Sequence, residues 1–217
     1  AIFFSHLPLF PSSYVFFPPH TFAFMIKAFL NQKISNRIQN GHPWVFANEV
    51  KEVVGNVMGG ETVELFTHDK KFIGKGYINP KSQIIIRLLT RNRNEEINDD
   101  FFYTRLQEAW NYRRILGYAE NCRLVFGESD NLPQLIIDKF NDYFVIQTLA
   151  LGIDKWKPAI VKAIERIFSP KGIYERNDVP VRELEGLQQQ KGFLSDPFDT
   201  KIIIHENTFP DRPGLKF

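Results

Sequence analysis

The 217-residue sequence has one cysteine, Cys122, so it forms no internal disulfide framework and no multi-cysteine zinc site. A lone thiol also suits a reducing compartment. No stretch of about 20 apolar residues runs uninterrupted, so no membrane span is expected. Residues 1–24 come nearest, being free of charge, yet Pro8, Pro11, Pro18 and Pro19 break them. They also lack the basic lead-in of a secretory signal. Seven of the 21 Phe and 4 of the 13 Pro fall there, a composition unlike the rest. This stretch is expected to lie outside the fold as a hydrophobic extension or an upstream start. A targeting or interfacial segment is the alternative. A Gly-rich strand-to-helix turn with an acidic residue about 20 positions on, the mark of a dinucleotide-like cofactor loop, is missing too. "VMGGE" (57–61) sits between strands, and "GKGYIN" (74–79) has no helix behind it.

At 43% hydrophobic and 24% charged, the chain can bury a sizeable core in one or two domains. Its charge is uneven. Residues 25–94 carry 11 Lys and Arg against 5 Asp and Glu, and residues 95–217 carry 16 against 20. A basic first part suits a polyanionic partner, because each neutralised phosphate releases counterions. A solvated lysine surface is the plainer reading.

Between 25 and 94 the pattern is mostly strand: "TVELFT" (62–67), "KFIGKGYIN" (71–79) and "QIIIRLL" (83–89), separated by turn-forming clusters. Ser35 is placed to cap a short helix over "NRIQNG", with Gly41 to end it. The expectation is a small, mostly antiparallel barrel, a scaffold that often presents a nucleic-acid surface. In "GHPWVFANEV" (41–50), Gly41 permits a sharp exit from the helix and Pro43 fixes φ. Trp44 can then point into the core or outward, and Phe46 is expected in the core.

After the polar stretch "TRNRNEEINDD" (90–100), a helix is expected over 99–117 with acids first and Arg113–Arg114 last. Strands follow at 122–127, 134–140 and 143–150, with Asn141–Asp142 as a hairpin turn. A second helix is expected over 154–168 and a strand over 172–176, making a separate α+β domain. "KIIIHENT" (201–208) reads as the start of another strand pair. Two clusters could carry chemistry: Glu128 and Asp130 in "FGESDNLP", and the alternating charges of "YERNDVPVRELEGL" (174–187). Two carboxylates serve acid–base work when their environments separate their pKa values. They more commonly cap turns or pair with arginine. Cys122 opens a strand and is expected in the core.

"RIQNGHPWVFANEV", "GYINPKSQIIIRLLT", "RLVFGESDNLPQLIID" and "ERNDVPVRELEGL" follow one another in an order and spacing that resemble a known family. It is the class I S-adenosylmethionine-dependent 23S rRNA methyltransferases that make 5-methylcytosine. The resemblance covers about residues 25–190; Gln134 stands where the family usually has Gly. It implies an α+β fold: a PUA-like RNA-binding barrel over 25–94 and a central α+β domain over 95–205. The family's C-terminal Rossmann-like methyltransferase domain, with its catalytic cysteine, is expected to be absent, and 206–217 to be a truncated tail.

The chain is then expected to be the RNA-recognising portion of such an enzyme, without catalytic residues or a metal. It is expected to bind no cofactor itself, although the full-length family uses S-adenosylmethionine. The resemblance implies a cytoplasmic location and structured RNA, large-subunit rRNA, as partner. In the barrel, Lys33 and Arg37 are assigned to phosphate and His42 or Trp44 to stacking on an unpaired base. Glu128, Asp130, Arg176, Asp178 and Arg182 are assigned to the wall of the full-length catalytic cleft. A complete stand-alone RNA-binding protein, or a small acid–base enzyme using Glu128 and Asp130, are the alternatives.

Overall fold

The computed structural model describes residues 25–31, 34–118 and 120–203. The expectations for the extension at 1–24, for Lys33 and for the tail at 206–217 lie outside the described residues. So does most of the strand expected at 201–208.

Six strands form the first sheet: β1 (Ile26–Leu30), β2 (Trp44–Val45), β3 (Val50–Val54), β4 (Thr62–Phe66), β5 (Phe72–Ile78) and β6 (Ile86–Thr90). Their spatial order is β2-β6-β5-β4-β1-β3, and every neighbouring pair is antiparallel except β1 with β4. Ala28 and Leu30 of β1, Val63 and Leu65 of β4, Ile78 of β5 and Ile86 of β6 share one buried core. The short helix α1 (Asn36–Gln39) adds Ile38 to it, and β2 adds Val45. The sheet therefore curls around its core, while its end strands β2 and β3 do not pair with each other. Strands β1 and β3 are not among those expected. The first alternates over only five residues, and β3 buries no side chain fully, so neither leaves a strong period-2 signal.

Helix α2 (Asp99–Ile115) opens the second unit, with the Asn98 side chain accepting from the Phe101 N–H at 2.9 Å. Asp99 and Asp100 lie in its first turn and Arg113 and Arg114 in its last, matching the helix dipole at both ends. A five-stranded sheet follows, in spatial order β11-β10-β9-β8-β7. Its strands are β7 (Asn121–Phe126), β8 (Leu135–Phe140), β9 (Tyr143–Thr148), β10 (Gly172–Asn177) and β11 (Gln190–Phe193). Asn141, at φ +52°, makes the β8–β9 hairpin turn.

β9 and β10 run parallel and are joined through α3 (Leu151–Lys155) and α4 (Lys157–Phe168). The single helix expected over 154–168 is thus two, and it begins earlier. Pro158 falls in the first turn of α4; it has no N–H to continue the α3 ladder, so the chain breaks at Trp156.

The core of this unit gathers Phe102 and Leu106 of α2, Ile137, Phe144 and Ile173 of the sheet, and Ile160 and Ile164 of α4. Each such burial contributes about 1.5–3 kcal/mol. The same core takes in Tyr77 and Leu89 from the first unit. Contact there is tight: a Cβ on Gly152 of α3 would lie 2.0 Å from Cγ of Tyr77. Residues 91–98 form neither helix nor strand, but they are pinned. The Glu95 carboxylate pairs with Arg105 at 3.1 Å and its carbonyl accepts from Lys75 Nζ at 3.1 Å.

Candidate functional site

The turn after α1 is built by its own charges. Gly41 takes φ +99°, a conformation a side chain would strain, and so lets the chain reverse. The Arg37 guanidinium closes the reversal. It donates to the Trp44 carbonyl, to Glu49 Oε2 at 2.7 Å and to His42 Nδ1 at 3.2 Å, and it lies 4.9 Å from the Phe46 ring centroid. The Trp44 N–H also donates to His42 Nδ1 at 3.2 Å. With two donors aimed at it, Nδ1 is the acceptor and the ring proton sits on Nε2. The Ser35 hydroxyl, expected to cap α1, makes no capping bond. Phe46 is half-buried under Arg37, not in the core.

Trp44 answers its own ambiguity in a third way. Its Nε1–H donates to Glu128 Oε1 at 2.7 Å, so it points neither into the barrel core nor freely to solvent. Glu128 belongs to the 3₁₀ turn Gly127–Asp130 after β7. The bond therefore links the two units. Asp130, in the same turn, is gripped by both Nη atoms of Arg113 at 2.6 and 2.7 Å and by the Phe126 N–H at 2.6 Å. It is a structural anchor for the turn, and the geometry gives no acid–base pair with Glu128.

A second bond set crosses the same seam, deeper. Glu185 accepts from Ser82 Oγ at 2.6 Å, Arg87 Nη2 at 2.7 Å and Asn79 Nδ2 at 2.9 Å. Arg87 and Glu185 are 4% and 5% exposed. The Tyr77 hydroxyl donates to the Pro133 carbonyl at 2.9 Å, and burial pushes its pKa well up. All four motifs of the sequence resemblance thus meet at this seam: Trp44 with Glu128, Tyr77 with Pro133, and Asn79, Ser82 and Arg87 with Glu185.

The residues assigned to a cleft wall divide. Arg176 and Asp178 form a surface pair at 2.9 Å. Arg182, by contrast, is 1% exposed and lines no open wall. It donates to the Thr148 carbonyl, to Asp154 Oδ1 at 3.0 Å and to the Gln188 carbonyl at 3.0 Å. Burial works to raise the Asp154 carboxyl, but bonds from Thr148 and Arg182 and the charge of Lys157 outweigh it and hold the pKa below 3.8. Sequence gives no site role to Glu185, Arg87 or Asn79, and places Arg113 only at a helix end. Only Arg87 carries a signal, a charge inside the apolar run "QIIIRLL", and it reads equally as a surface position.

Above the seam bonds the two units leave an open cleft of about 260 Å³. Gly41 and Pro43 of the turn, Arg91 after β6, and Glu128 and Asn131 of the 3₁₀ turn border it. Arg91 also donates to the Ile38 carbonyl at 2.8 Å. Arg93, two residues on, is exposed and lies 5.6 Å from the Phe72 ring centroid.

Among the described residues no three His, Cys, Asp or Glu side chains cluster to hold a metal ion, and no helix is long and apolar enough to cross a membrane. An S-adenosylmethionine site of the Rossmann kind needs an open Gly-rich turn at a helix N-terminus. The described residues do not fit one. The strand-to-helix passage from β9 into α3 has Gly152, but the Tyr77 ring already occupies the space beside it.

A curled sheet with a helical turn on its rim, joined to an α+β unit, defines the class: residues 29–91 match the PUA-like domain family. Beyond that domain the chain is similar to proteins named ribosomal RNA large subunit methyltransferase I. The one from Aliivibrio fischeri is 35% identical over 187 residues, covering 84% of this chain and 47% of the relative. The one from Klebsiella pneumoniae is 40% identical over 154 residues, covering 70% and 38%. The chain spans about half the length, or less, of these curated relatives. Among solved structures, a candidate SAM-dependent methyltransferase from Streptococcus mutans superposes with a TM-score of 0.64 at 16% identity, covering 83% of this chain and 46% of that one. A candidate methyltransferase complexed with SAH superposes with a TM-score of 0.59 at 17% identity, covering 70% and 40%. At such identities the structures speak for the fold.

Proposed function

We propose that residues 25–203 are the RNA-recognising portion of a cytoplasmic large-subunit rRNA methyltransferase of the 5-methylcytosine-forming kind. One observation carries the reading. A PUA-like domain match at 29–91 lies inside a 35% identity, over 84% of the chain, to proteins named as large-subunit rRNA methyltransferases. The cytosine-5 product comes from the four-motif resemblance alone. In this reading the methyl donor, S-adenosylmethionine, is not held by residues 25–203.

The RNA approaches the face that carries the helix-ending turn and the cleft. Arg91 lines the cleft and is exposed, and Arg93, two residues on, is exposed over the Phe72 ring; both take phosphate, with Lys33 a further phosphate contact on sequence grounds. Arg37 and His42 act indirectly. Their hydrogen bonds are already spent on the shape of the turn, so removing them distorts the face before it removes a phosphate contact. Trp44 holds the two units in register in the same way.

The test is a salt series of equilibrium binding between the 217-residue chain and a 23S rRNA fragment. Arg91→Ala and Arg93→Ala should each lower the slope of log affinity against log salt by about 0.7–0.9. No measurable affinity for rRNA at low salt would end this reading.

A further inference from the structure

The cleft between the units has a chemistry that phosphate binding does not use. Its apolar walls are Pro43, Leu88 and Leu89, and Glu128 and Asn131 line it together with Thr90, Arg91 and Arg105; Arg105 is already paired with Glu95 and Glu108. About 260 Å³ is room for eight or nine waters at about 30 Å³ each, enough for one planar nucleobase.

Glu128 and Asn131 are complementary in what they leave unused. Glu128 spends Oε1 on Trp44 Nε1 at 2.7 Å and Gln134 Nε2 at 3.3 Å, and Oε2 has no hydrogen bond among the described residues. Asn131 has αL backbone geometry, with φ +56°, at the end of the turn. Its backbone N–H bonds the Glu128 carbonyl at 3.2 Å, while its side-chain amide has no hydrogen bond among the described residues. The cleft therefore offers a fixed acceptor, charged and unable to donate, beside an amide that can donate.

We propose that this cleft is a subsite for one unpaired nucleobase carrying an exocyclic amine next to a ring acceptor, that is, cytosine or adenine. The amine donates to Glu128 Oε2, and Asn131 Nδ2 donates to the adjacent ring nitrogen. Uracil and guanine present a carbonyl beside a ring N–H at those positions. The carbonyl would face the carboxylate, and the ring N–H would face the amide donor. Apolar Pro43, Leu88 and Leu89 flank the ring. Arg91 also lines the cleft, where the phosphate of the same nucleotide would lie. The proposal rests on the RNA reading above and adds to it a site and a base preference.

The test uses the full chain and four seven-nucleotide single-stranded RNAs, all uridine except for C, A, G or U at the centre, with fluorescence-anisotropy titration. The C and A oligonucleotides should bind about tenfold tighter than the U and G ones, as one well-made base contact gives. Glu128→Gln keeps an oxygen for Trp44 and should erase most of the preference. Asn131→Asp sits on an exposed turn position and should weaken C and A binding without unfolding the chain. Equal affinity for all four, or a preference unchanged in both variants, overturns the subsite while leaving the broader reading intact if a 23S rRNA fragment still binds. Loss of all RNA binding, fragment included, overturns both.

Discussion

Glu185→Ala is the sharpest perturbation the seam offers. The carboxylate is 5% exposed and accepts from Ser82, Arg87 and Asn79, while Arg87 is 4% exposed. Truncation leaves the arginine charge buried without its partner, and breaking such a pair costs about 3–5 kcal/mol. For a unit of this length one kcal/mol moves Tm by roughly 2–4 °C, so the fall should be roughly 6–20 °C. Asn79 keeps one bond, to the Glu185 carbonyl at 3.0 Å, which places the loss nearer the lower figure. Because the pair joins β6 of the first unit to the turn before β11 of the second, both units should melt together at the lower temperature. Circular dichroism gives the summed transition, and tryptophan fluorescence reads Trp44 of the first unit with Trp110 and Trp156 of the second. Replacing both partners with apolar residues, Arg87→Met with Glu185→Leu, removes the uncompensated charge and should recover most of the stability. A loss below about 1 kcal/mol in the single variant, or two separated transitions, would refute the seam as a joint of this strength.

Other outcomes follow from the same geometry. Trp44→Phe keeps a ring and removes only the Nε1–Glu128 bond, so urea denaturation should show a loss of about 1.5–3 kcal/mol. A Trp44 serving only as a stacking surface would instead lose RNA affinity with stability unchanged. Folding depresses the Asp154 carboxyl, so its contribution is present above pH 3.8 and drains away as the pH falls through the folded value. Asp154→Asn should therefore flatten the acid limb of stability against pH, and an acid limb of unaltered steepness would contradict the assignment. An alanine at Gly152 would place Cβ within 2.0 Å of Tyr77. That overpacking should cost about 1–3 kcal/mol or more, measured as a shifted denaturation midpoint.

Much of the architecture is legible in the pattern of residues. The alternation of "TVELF" and the apolar, β-branched run of "YFVIQT" give β4 and β9, and Asn141 marks its hairpin because that residue tolerates positive φ. Asn98, two acids and two arginines frame α2 at both ends. What is not legible is partnership. Arg37 reads as a phosphate ligand beside a glycine turn, and only three dimensions show its donors spent on Trp44, Glu49 and His42. Arg182, in an alternating run, is assigned by the resemblance to a cleft wall, yet it is buried against Thr148 and Asp154. Glu128 meets Trp44 across 84 positions, a contact no local rule can reach. Residues of the first motif read as a nucleic-acid face, and those of the third and fourth as a cleft wall. Their side chains do first the prior work of holding two units together.

The central claim is that the face bearing the Gly41–Trp44 turn and Arg91 docks large-subunit rRNA. Ultraviolet crosslinking of the full chain to 23S rRNA, followed by mass-spectrometric mapping of the linked peptides, tests it most directly. The expected crosslinks fall on peptides containing residues 36–46 and 88–93, and they weaken in Arg91→Ala. Crosslinks confined to the far edge of the second sheet, on β11, or no more than an unrelated RNA of equal length gives, would contradict it.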